Sequence, residues 1–309
     1  MIDFVGRKRW FFLISWILVI IGIAALIISQ IQLGTPLRLG TDFAGGTSMT
    51  LQFEPAVEQS QLREEMTRLG YGEATIQNAG DGNFIIHTRE ITSDEAEELA
   101  QELGAELNSQ VEVADYYLAS ATVGAATARS AVIAVIVASI AMLFYIVWAF
   151  RRMPRPFRWG SCAVIALIHD VFITLGIFSL LGLLIGLEID ALFITGLLTV
   201  VGYSINNIVV VFDRIRENRA KGISSDFAIT VNSSIVETLG RCLNTSLTTL
   251  FVILALFLFG GATIHYFVLV LLVGVIIGTY DSICVAGELL VVWERGEWRT
   301  LLPWAKTRA

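Results

Sequence analysis

The stretch that decides the fold is residues 191–212, ALFITGLLTVVGYSINNIVVVF, an apolar segment with polar side chains at its centre. A helix needs about 20 predominantly apolar residues to cross a bilayer, and this stretch meets that length. Thr199, Tyr203 and Asn207 recur every four residues, so they share one helix face. Polar groups are costly inside a span and usually functional. The stretch therefore predicts a membrane helix that carries a polar site.

The composition extends this prediction to the whole chain. Of 309 residues, 55% are hydrophobic and only 16% charged, whereas about 25% of residues are charged in a typical soluble domain. The mean hydropathy is +0.70. We therefore predict an integral membrane protein, a membrane α-helical bundle of six transmembrane helices, at residues 10–29, 130–150, 161–187, 191–212, 243–259 and 266–292.

The basic residues predict how this bundle is oriented. They cluster before the first span, between the second and third, after the fourth and after the sixth, at Arg7, Lys8, Arg9, Arg151, Arg152, Arg155, Arg158, Arg214, Arg216, Arg219, Lys221, Arg295, Arg299, Lys306 and Arg308. All these positions fall on one side if both termini are cytoplasmic, as the positive-inside rule favours. Residues 30–128 then lie on the non-cytoplasmic side of the membrane.

The chain divides into four predicted parts: a cytoplasmic N-terminus with the first span at 1–29, an external domain at 30–128, the other five spans at 129–293 and a cytoplasmic tail at 294–309. In the external domain the pattern predicts strands at 48–53, 74–77, 83–87 and 110–117 and helices at 57–69 and 93–107. This βαββαβ order is the ferredoxin-like α+β arrangement. Thr92 and Glu95 have the spacing of a capping box, and residues 80–82 predict a tight turn.

The residues of the external domain predict a module that binds a ligand or acts as a lever, and not a catalytic domain. It carries 4 basic and 16 acidic residues, a net charge of −12, which suits either a solvated surface or contact with cationic or unfolded polypeptide. His87, its only histidine, lacks a nucleophile or metal-ligand partner set. The three cysteines lack metal spacing, and the chain has no phosphate-binding loop or nucleic-acid patch. We therefore predict no enzyme activity, no cofactor, no metal and no nucleic-acid partner.

Five motifs, in order along nearly the whole chain, resemble one known family. The first is GTDFAGGT at 40–47, with Asp42, Phe43, Gly45 and Gly46; the others are His169-Asp170, residues 202–206 with 212–218 (including Asp213 and Arg214), residues 241–249, and residues 278–280. Together they are similar to the SecF family of bacterial protein-export subunits, members of the RND superfamily. The resemblance implies a SecD-like partner, a SecYEG-type translocon, a translocating unfolded polypeptide and surrounding membrane lipid. It also implies that ion flow through the bundle moves the external domain.

The resemblance further implies an ion pathway at Asn207, Arg241, Asp170, Tyr203 and Thr245. The residues alone also fit packing between helices for Asn207 and an arginine reaching the interface for Arg241. SecF proteins usually have an aspartate at the position of Asn207, and an asparagine cannot titrate. Asp170 or Asp281 could supply the missing carboxylate; alternatively, Asp281 lies near the cytoplasmic end, where Glu288 and Glu294 follow, and is simply solvated.

Two other functions remain open at this point. A small-molecule RND exporter is one, although such proteins usually carry two six-span halves in one chain. A non-conducting scaffold subunit is the other, and Asn207 favours it.

The residues generate one prediction about coupling. This chain should couple weakly to a proton gradient, and Asn207→Asp should raise gradient-dependent export, because an aspartate restores a group that can carry a proton. Strong coupling in the parent that is abolished by neutralising Asp170 or Asp281 would instead place the proton on another carboxylate.

Overall fold

A computed structural model describes residues 2–298, apart from the side chains of residues 262 and 263. Most of the predicted tail at 294–309 lies outside the described residues. It includes Arg299, Lys306 and Arg308, three of the basic residues from which the orientation is predicted.

Within residues 2–298, six long apolar helices form the bundle, as predicted. The helices in chain order are α1 (Lys8–Leu33), α2 (Thr41–Ala44), α3 (Gln59–Arg68), α4 (Ser93–Leu107), α5 (Ala121–Ala149), α6 (Pro156–Ile185), α7 (Ala191–Lys221), α8 (Phe227–Phe259), α9 (Ala262–Cys284) and α10 (Ala286–Arg295). The helices long and apolar enough to cross a membrane are α1, α5, α6, α7, α8 and the α9–α10 pair.

Several helices run beyond their predicted spans because polar residues continue them. Residues 213–240, between the predicted fourth and fifth spans, extend α7 and begin α8 around a turn at Gly222, whose φ is +67°. Arg214 lies 2.5 Å from Glu217 on its own helix and 2.5 Å from Glu237 on α8. Such pairs stabilise a helical hairpin outside the apolar region.

The external domain is the predicted α+β unit. Its strands β1 (Gly46–Glu54), β2 (Thr75–Gly80), β3 (Asn83–Thr88) and β4 (Gln110–Ala119) form one antiparallel sheet in the order β2-β3-β1-β4. Asp81 and Gly82 join β2 to β3 with φ values of +52° and +76°, as a two-residue hairpin turn requires. The sheet packs through Leu51 and Ile86 against Leu62 of α3 and Leu103 of α4.

The predicted capping box forms at the start of α4. The Glu95 amide donates to the Thr92 hydroxyl at 3.3 Å, and the Glu95 carboxylate accepts from the Thr92 amide at 2.7 Å. That backbone hydrogen bond, with the one from the Thr92 hydroxyl, lowers the pKa of Glu95. Local sequence therefore determines where this helix begins.

The basic ends of the helices meet at one end of the bundle. Lys8 pairs with Glu297 at 2.5 Å, Arg158 pairs with Glu294 at 2.8 Å, and Arg295 pairs with Asp226. These contacts bring together the start of α1, the start of α6, the start of α8 and the segment around α10. The clusters therefore share a side, as the sequence predicts.

Close helix packing in the bundle depends on glycines. A Cβ atom added at Gly176 on α6 would lie 2.4 Å from the Cα atom of Gly22 on α1, and one added at Gly274 on α9 would lie 2.2 Å from the Val200 side chain on α7. Small residues at such crossings allow backbones to approach, which is how membrane helices gain packing energy.

We predict that Gly176→Ala lowers the thermal unfolding midpoint of the full chain in detergent, because overpacking costs about 1–3 kcal/mol. Gly202→Ala on α7 is the matched control, since a Cβ atom there meets nothing within 4 Å. Thermal scans of tryptophan fluorescence measure both. Equal midpoints for the two variants would contradict the proposed α1–α6 crossing.

Candidate functional site

A histidine and two aspartates meet in the middle of the bundle. His169 and Asp170 lie on α6 and Asp281 lies on α9. The His169 Nδ1 atom is 3.2 Å from Oδ1 of Asp281 and 3.7 Å from Oδ1 of Asp170. Both aspartates are completely buried. We call these three side chains the carboxylate–histidine cluster.

Ser204 connects this cluster to α7. Its hydroxyl donates to Oδ2 of Asp170 at 2.5 Å. A Cβ atom added at Gly278 of α9 would lie 3.0 Å from the Ser204 side chain, so the glycine lets the two helices approach here. The cluster and its serine therefore join α6, α7 and α9.

Most polar atoms of the cluster lack hydrogen-bond partners. Within residues 2–298, none is found for either carboxylate oxygen of Asp281, for Oδ1 of Asp170 or for either ring nitrogen of His169. Their ligand-capable atoms all lie within 4.8 Å of one another. Buried polar atoms without partners are costly, so this arrangement indicates a site that takes up a cation or a proton.

Asp281 and Glu288 exclude the alternative in which Asp281 is solvated near the cytoplasmic end, where Glu288 follows it. Both are completely buried, and neither oxygen of Glu288 has a hydrogen-bond partner among the described residues. For Asp281 the physical reason is helix phase: it lies seven residues after Gly274 on α9, so it shares the face of that glycine, which packs inward. That seven-residue spacing was the signal available in the sequence.

Asn207 belongs to a second, uncharged group of side chains. It is 2% exposed, and its Nδ2 atom donates to the Ser246 hydroxyl of α8 at 3.2 Å. The Thr279 hydroxyl of α9 lies 2.7 Å from the same Ser246 oxygen. Asn207 thus joins α7, α8 and α9 through neutral hydrogen bonds. The sequence analysis did not identify Ser246.

The other predicted ion-pathway residues lie apart from this group. Arg241 is exposed on α8 and forms no ion pair with any residue that the structure describes. Thr245 donates back to the Arg241 carbonyl at 2.8 Å. Tyr203 is half-buried, and its hydroxyl has no hydrogen-bond partner within the described residues. Asn207 therefore contacts Ser246 rather than Arg241.

The signature residues join the external domain to the bundle. Oδ2 of Asp42 accepts from the backbone amide of Ala191, the first residue of α7, at 2.9 Å. Phe43 packs in a buried apolar group with Phe193 of α7. Gly45 has a φ of +80°, and a Cβ atom there would lie 2.7 Å from the Ala121 amide of α5. The motif thus places β1 against the first turns of α5 and α7.

Two carboxylates complement the N-terminus of α7. Asp190 accepts from the Phe193 amide at 2.8 Å, and Asp42 accepts from the Ala191 amide. Burial raises the pKa of Asp190. Negative charge is favourable at the positive end of a helix dipole, so these residues hold the external end of α7 in place.

Asp213 and Arg214 lie near the opposite end of α7. Asp213 pairs with Arg216 at 2.5 Å, and Arg214 pairs with Glu237 of α8. These signature residues therefore stabilise the polar helical hairpin and do not contact the carboxylate–histidine cluster.

Comparison with known proteins defines the family. Residues 100–296 match the family described as protein export membrane protein SecD/SecF, C-terminal, and residues 32–57 match the SecD/SecF GG motif. The protein translocase subunit SecF of Thermobaculum terrenum is 41% identical, over 95% of this chain and 94% of its own length. That of Anaerolinea thermophila is 38% identical, over 97% and 96% respectively.

A solved structure shows the same architecture. The crystal structure of SecDF, a translocon-associated membrane protein from Thermus thermophilus, superposes with a TM-score of 0.81 at 34% identity. The alignment covers 95% of this chain and 39% of that SecDF chain, so the present chain spans about two fifths of its length.

The six-helix bundle and its external α+β domain define a multi-pass membrane protein of the protein-export class. With relatives at this identity and coverage, the chain belongs to the SecF family of protein-translocase subunits. The resemblance found in the sequence is confirmed.

We predict that Gly45→Ala destabilises the junction between domain and bundle more than Gly80→Ala destabilises the β2–β3 turn. The two glycines have φ values of +80° and +85°, but a Cβ atom at Gly80 meets nothing within 4 Å. Both variants carry the left-handed penalty of about 1–2 kcal/mol, and only Gly45→Ala adds a backbone clash. Hydrogen exchange at residues 41–47 and 121–124 measures the difference, and equal protection would contradict the close packing.

Proposed function

We propose that this chain assists protein translocation across the bacterial cytoplasmic membrane as the SecF-type half of a complex with a SecD-like subunit. The complex acts with a SecYEG-type translocon on an unfolded polypeptide, and ion flow through the bundle moves the external domain. The chain performs mechanical work and no chemical catalysis. One observation supports this proposal most directly. Helix α7 carries Ser204 and Asn207 inside the bundle, and the amide at its external end is hydrogen-bonded to Asp42 of the signature motif.

Helix α7 supplies the mechanical connection. Its 31 residues form one helix, about 46 Å long at 1.5 Å per residue. Ser204 and Asn207 lie near its middle, and its first amide bonds to Asp42. A change in charge at the middle of such a rod is transmitted to the domain as a shift or tilt.

A second connection supports the same motion. Arg38, which precedes the signature motif, lies 3.4 Å from Glu188 in the connection between α6 and α7. Glu188 also accepts from the Thr75 hydroxyl of β2 at 2.5 Å. The sheet is thus tied to the same external end of the bundle at two separate places.

The exposed face of α8 is proposed as the partner surface. Arg241, Asn244 and Thr248 are exposed along it, and polar side chains facing lipid are unfavourable. A SecD-like helix that offers a carboxylate to Arg241 removes this cost. In this orientation both termini are cytoplasmic and the acidic residues 30–128 lie outside, as the distribution of basic residues favours.

A non-conducting scaffold subunit is the second candidate, and Asn207 favours it. The Asn207 side chain cannot titrate, and its amide donates to the neutral Ser246 hydroxyl, which also accepts from Thr279. A scaffold assists export without responding to an ion gradient.

Reconstituted export separates these functions. The buried carboxylates Asp170 and Asp281 replace the expectation of weak coupling that rested on Asn207. We predict that proteoliposomes with translocon, SecD-like subunit and this chain export a precursor faster when a proton gradient is imposed, and that an ionophore removes the gain. The chain without the SecD-like subunit shows no gain, because half of the assembly is missing. A gain that survives the ionophore supports the scaffold, and full activity without the partner contradicts the proposed complex.

We predict that Arg241→Leu lowers gradient-dependent export and that Arg241→Lys restores only part of it. Lysine keeps the charge but lacks the planar arrangement of five donors in a guanidinium. Arg152→Leu, an exposed residue in the connection between α5 and α6, is the control. Normal export by Arg241→Leu at equal membrane levels would mean that Arg241 only reaches the interface.

A further inference from the structure

The carboxylate–histidine cluster carries more negative charge than its surroundings balance. Asp170 and Asp281 are completely buried, and the nearest cationic group, His169, is their only contact of that kind among the described residues. Two carboxylates that share a buried site do not both ionise readily. Even a fully protonated imidazole balances one of the two charges and leaves one uncompensated. One further positive charge makes the cluster neutral.

The other polar groups around the cluster do not supply that charge. On α7, Ser204 offers a neutral hydroxyl to Asp170. On α1, the Ser15 hydroxyl lies 3.4 Å from the Tyr280 hydroxyl, which donates to the Phe11 carbonyl. On α10, Glu288 is a further completely buried acidic side chain close to Asp281, and the Lys8 side chain of α1 pairs with Glu297. The surroundings thus add a carboxylate to the cluster and leave the imbalance in place.

The shape of the site suits a proton better than a larger ion. Ser204 already occupies Oδ2 of Asp170 with a hydrogen bond of 2.5 Å, and His169 Nδ1 faces both aspartates. A metal ion would displace both contacts and require several oxygen ligands. A proton needs one carboxyl oxygen and one acceptor, and Oδ1 of Asp170 and the oxygens of Asp281 are all without partners.

We propose that His169, Asp170 and Asp281 bind one exchangeable proton, shared by the two carboxyl groups, as the titratable site of this bundle in place of the uncharged Asn207. The inference deepens the proposed function and rests on it. When the proton binds, it forms an O–H bond to a carboxylate oxygen and converts that carboxylate to a carboxylic acid. When it leaves, this O–H bond breaks and the proton passes to a water molecule.

Binding of this proton affects helix packing directly. With the proton bound, α6 and α9 are joined by a carboxylic acid, a carboxylate and the imidazole. When the proton is released, the two carboxylates repel each other across the contact between α6 and α9. If α6 moves, the hydrogen bond from Ser204 to Asp170 either moves α7 with it or breaks. Because Ser204 lies on α7, the change reaches the helix whose external end is bonded to Asp42.

Infrared difference spectroscopy on the full chain with its SecD-like partner in lipid tests the proposal. With ¹³C-labelled aspartate, the parent is expected to show a carboxylic-acid C=O band at neutral pH that disappears on alkaline titration. Asp170→Asn and Asp281→Asn each remove or shift the band. Asp94→Asn, an exposed residue in the first turn of α4, leaves it unchanged. A band unaffected by both cluster variants overturns the proposal.

Two further variants guard against loss of folding. Asp281→Glu keeps a carboxyl group and retains a band, whereas Ser204→Ala keeps both aspartates but removes one hydrogen bond, so the band shifts in frequency without disappearing. If sodium or a divalent ion abolishes the band at fixed pH, the site binds that ion and the proton assignment is wrong.

Export assays on the same samples distinguish this proposal from the proposed function. Asp170→Asn and Asp281→Asn are expected to lower gradient-dependent export by about tenfold, because the proton carrier is lost, while Asp94→Asn stays near the parent. If the band depends on the cluster but export does not respond to the gradient, the proposed coupling is wrong and the proposed proton site stands. If export still responds to the gradient in both cluster variants and no band depends on the cluster, the proposed proton site is wrong and the proposed coupling stands.

Discussion

The structure depends on the inability of hydrocarbon to solvate polar groups. Each polar side chain inside the bundle must therefore find its partner on another helix, and this requirement decides which helices meet. Asp170, Ser204 and Asp281 bring α6, α7 and α9 together, and Asn207, Ser246 and Thr279 bring in α8. Glycines at positions such as 274 and 278 permit the close approach that these short contacts need. The arrangement is a packed helical core with two polar groups on successive turns of α7, one ionisable and one neutral.

The external domain is attached through backbone geometry as much as through side chains. Gly45 and Gly46 turn the chain from α2 into β1 with φ values of +80° and +120°, and larger residues would meet Ala121 and Thr88. Close contact on both sides means that β1 cannot move far without moving the first turn of α5. The same segment holds the amide of Ala191. A domain fixed at these points moves as a unit with the external ends of α5 and α7, rather than on a loose tether.

The sequence predicted the larger features because each rests on a local pattern. Apolar runs gave the six helices, the order of strands and helices gave the α+β domain, and Thr92 with Glu95 gave the start of α4. The polar contacts were harder, since they depend on the rotation of each helix about its axis. Thr245 and Ser246 are neighbours in sequence but point to different sides, and only Ser246 reaches Asn207. For Asp281 the sequence left open a solvated position near the end of its span, whereas its helix phase turns it towards His169 of α6. Such rotations follow from packing across helices and not from the residues of one helix.

The partner surface proposed on α8 makes the stability of this subunit depend on how much of the SecD-like partner is present. Arg241, Asn244 and Thr248 face outward, so the isolated chain would hold hydrophilic groups against lipid, and a chain assembled with the proposed partner on this face would not. By mass action, a partner present at one hundred times its dissociation constant stabilises the folded chain by about 2.7 kcal/mol. A cell that makes too little partner would thus hold a population of poorly stabilised orphan subunits, open to membrane proteases. The proposed α8 interface would in this way let degradation of the excess, as well as synthesis, set the ratio of the subunits in the membrane.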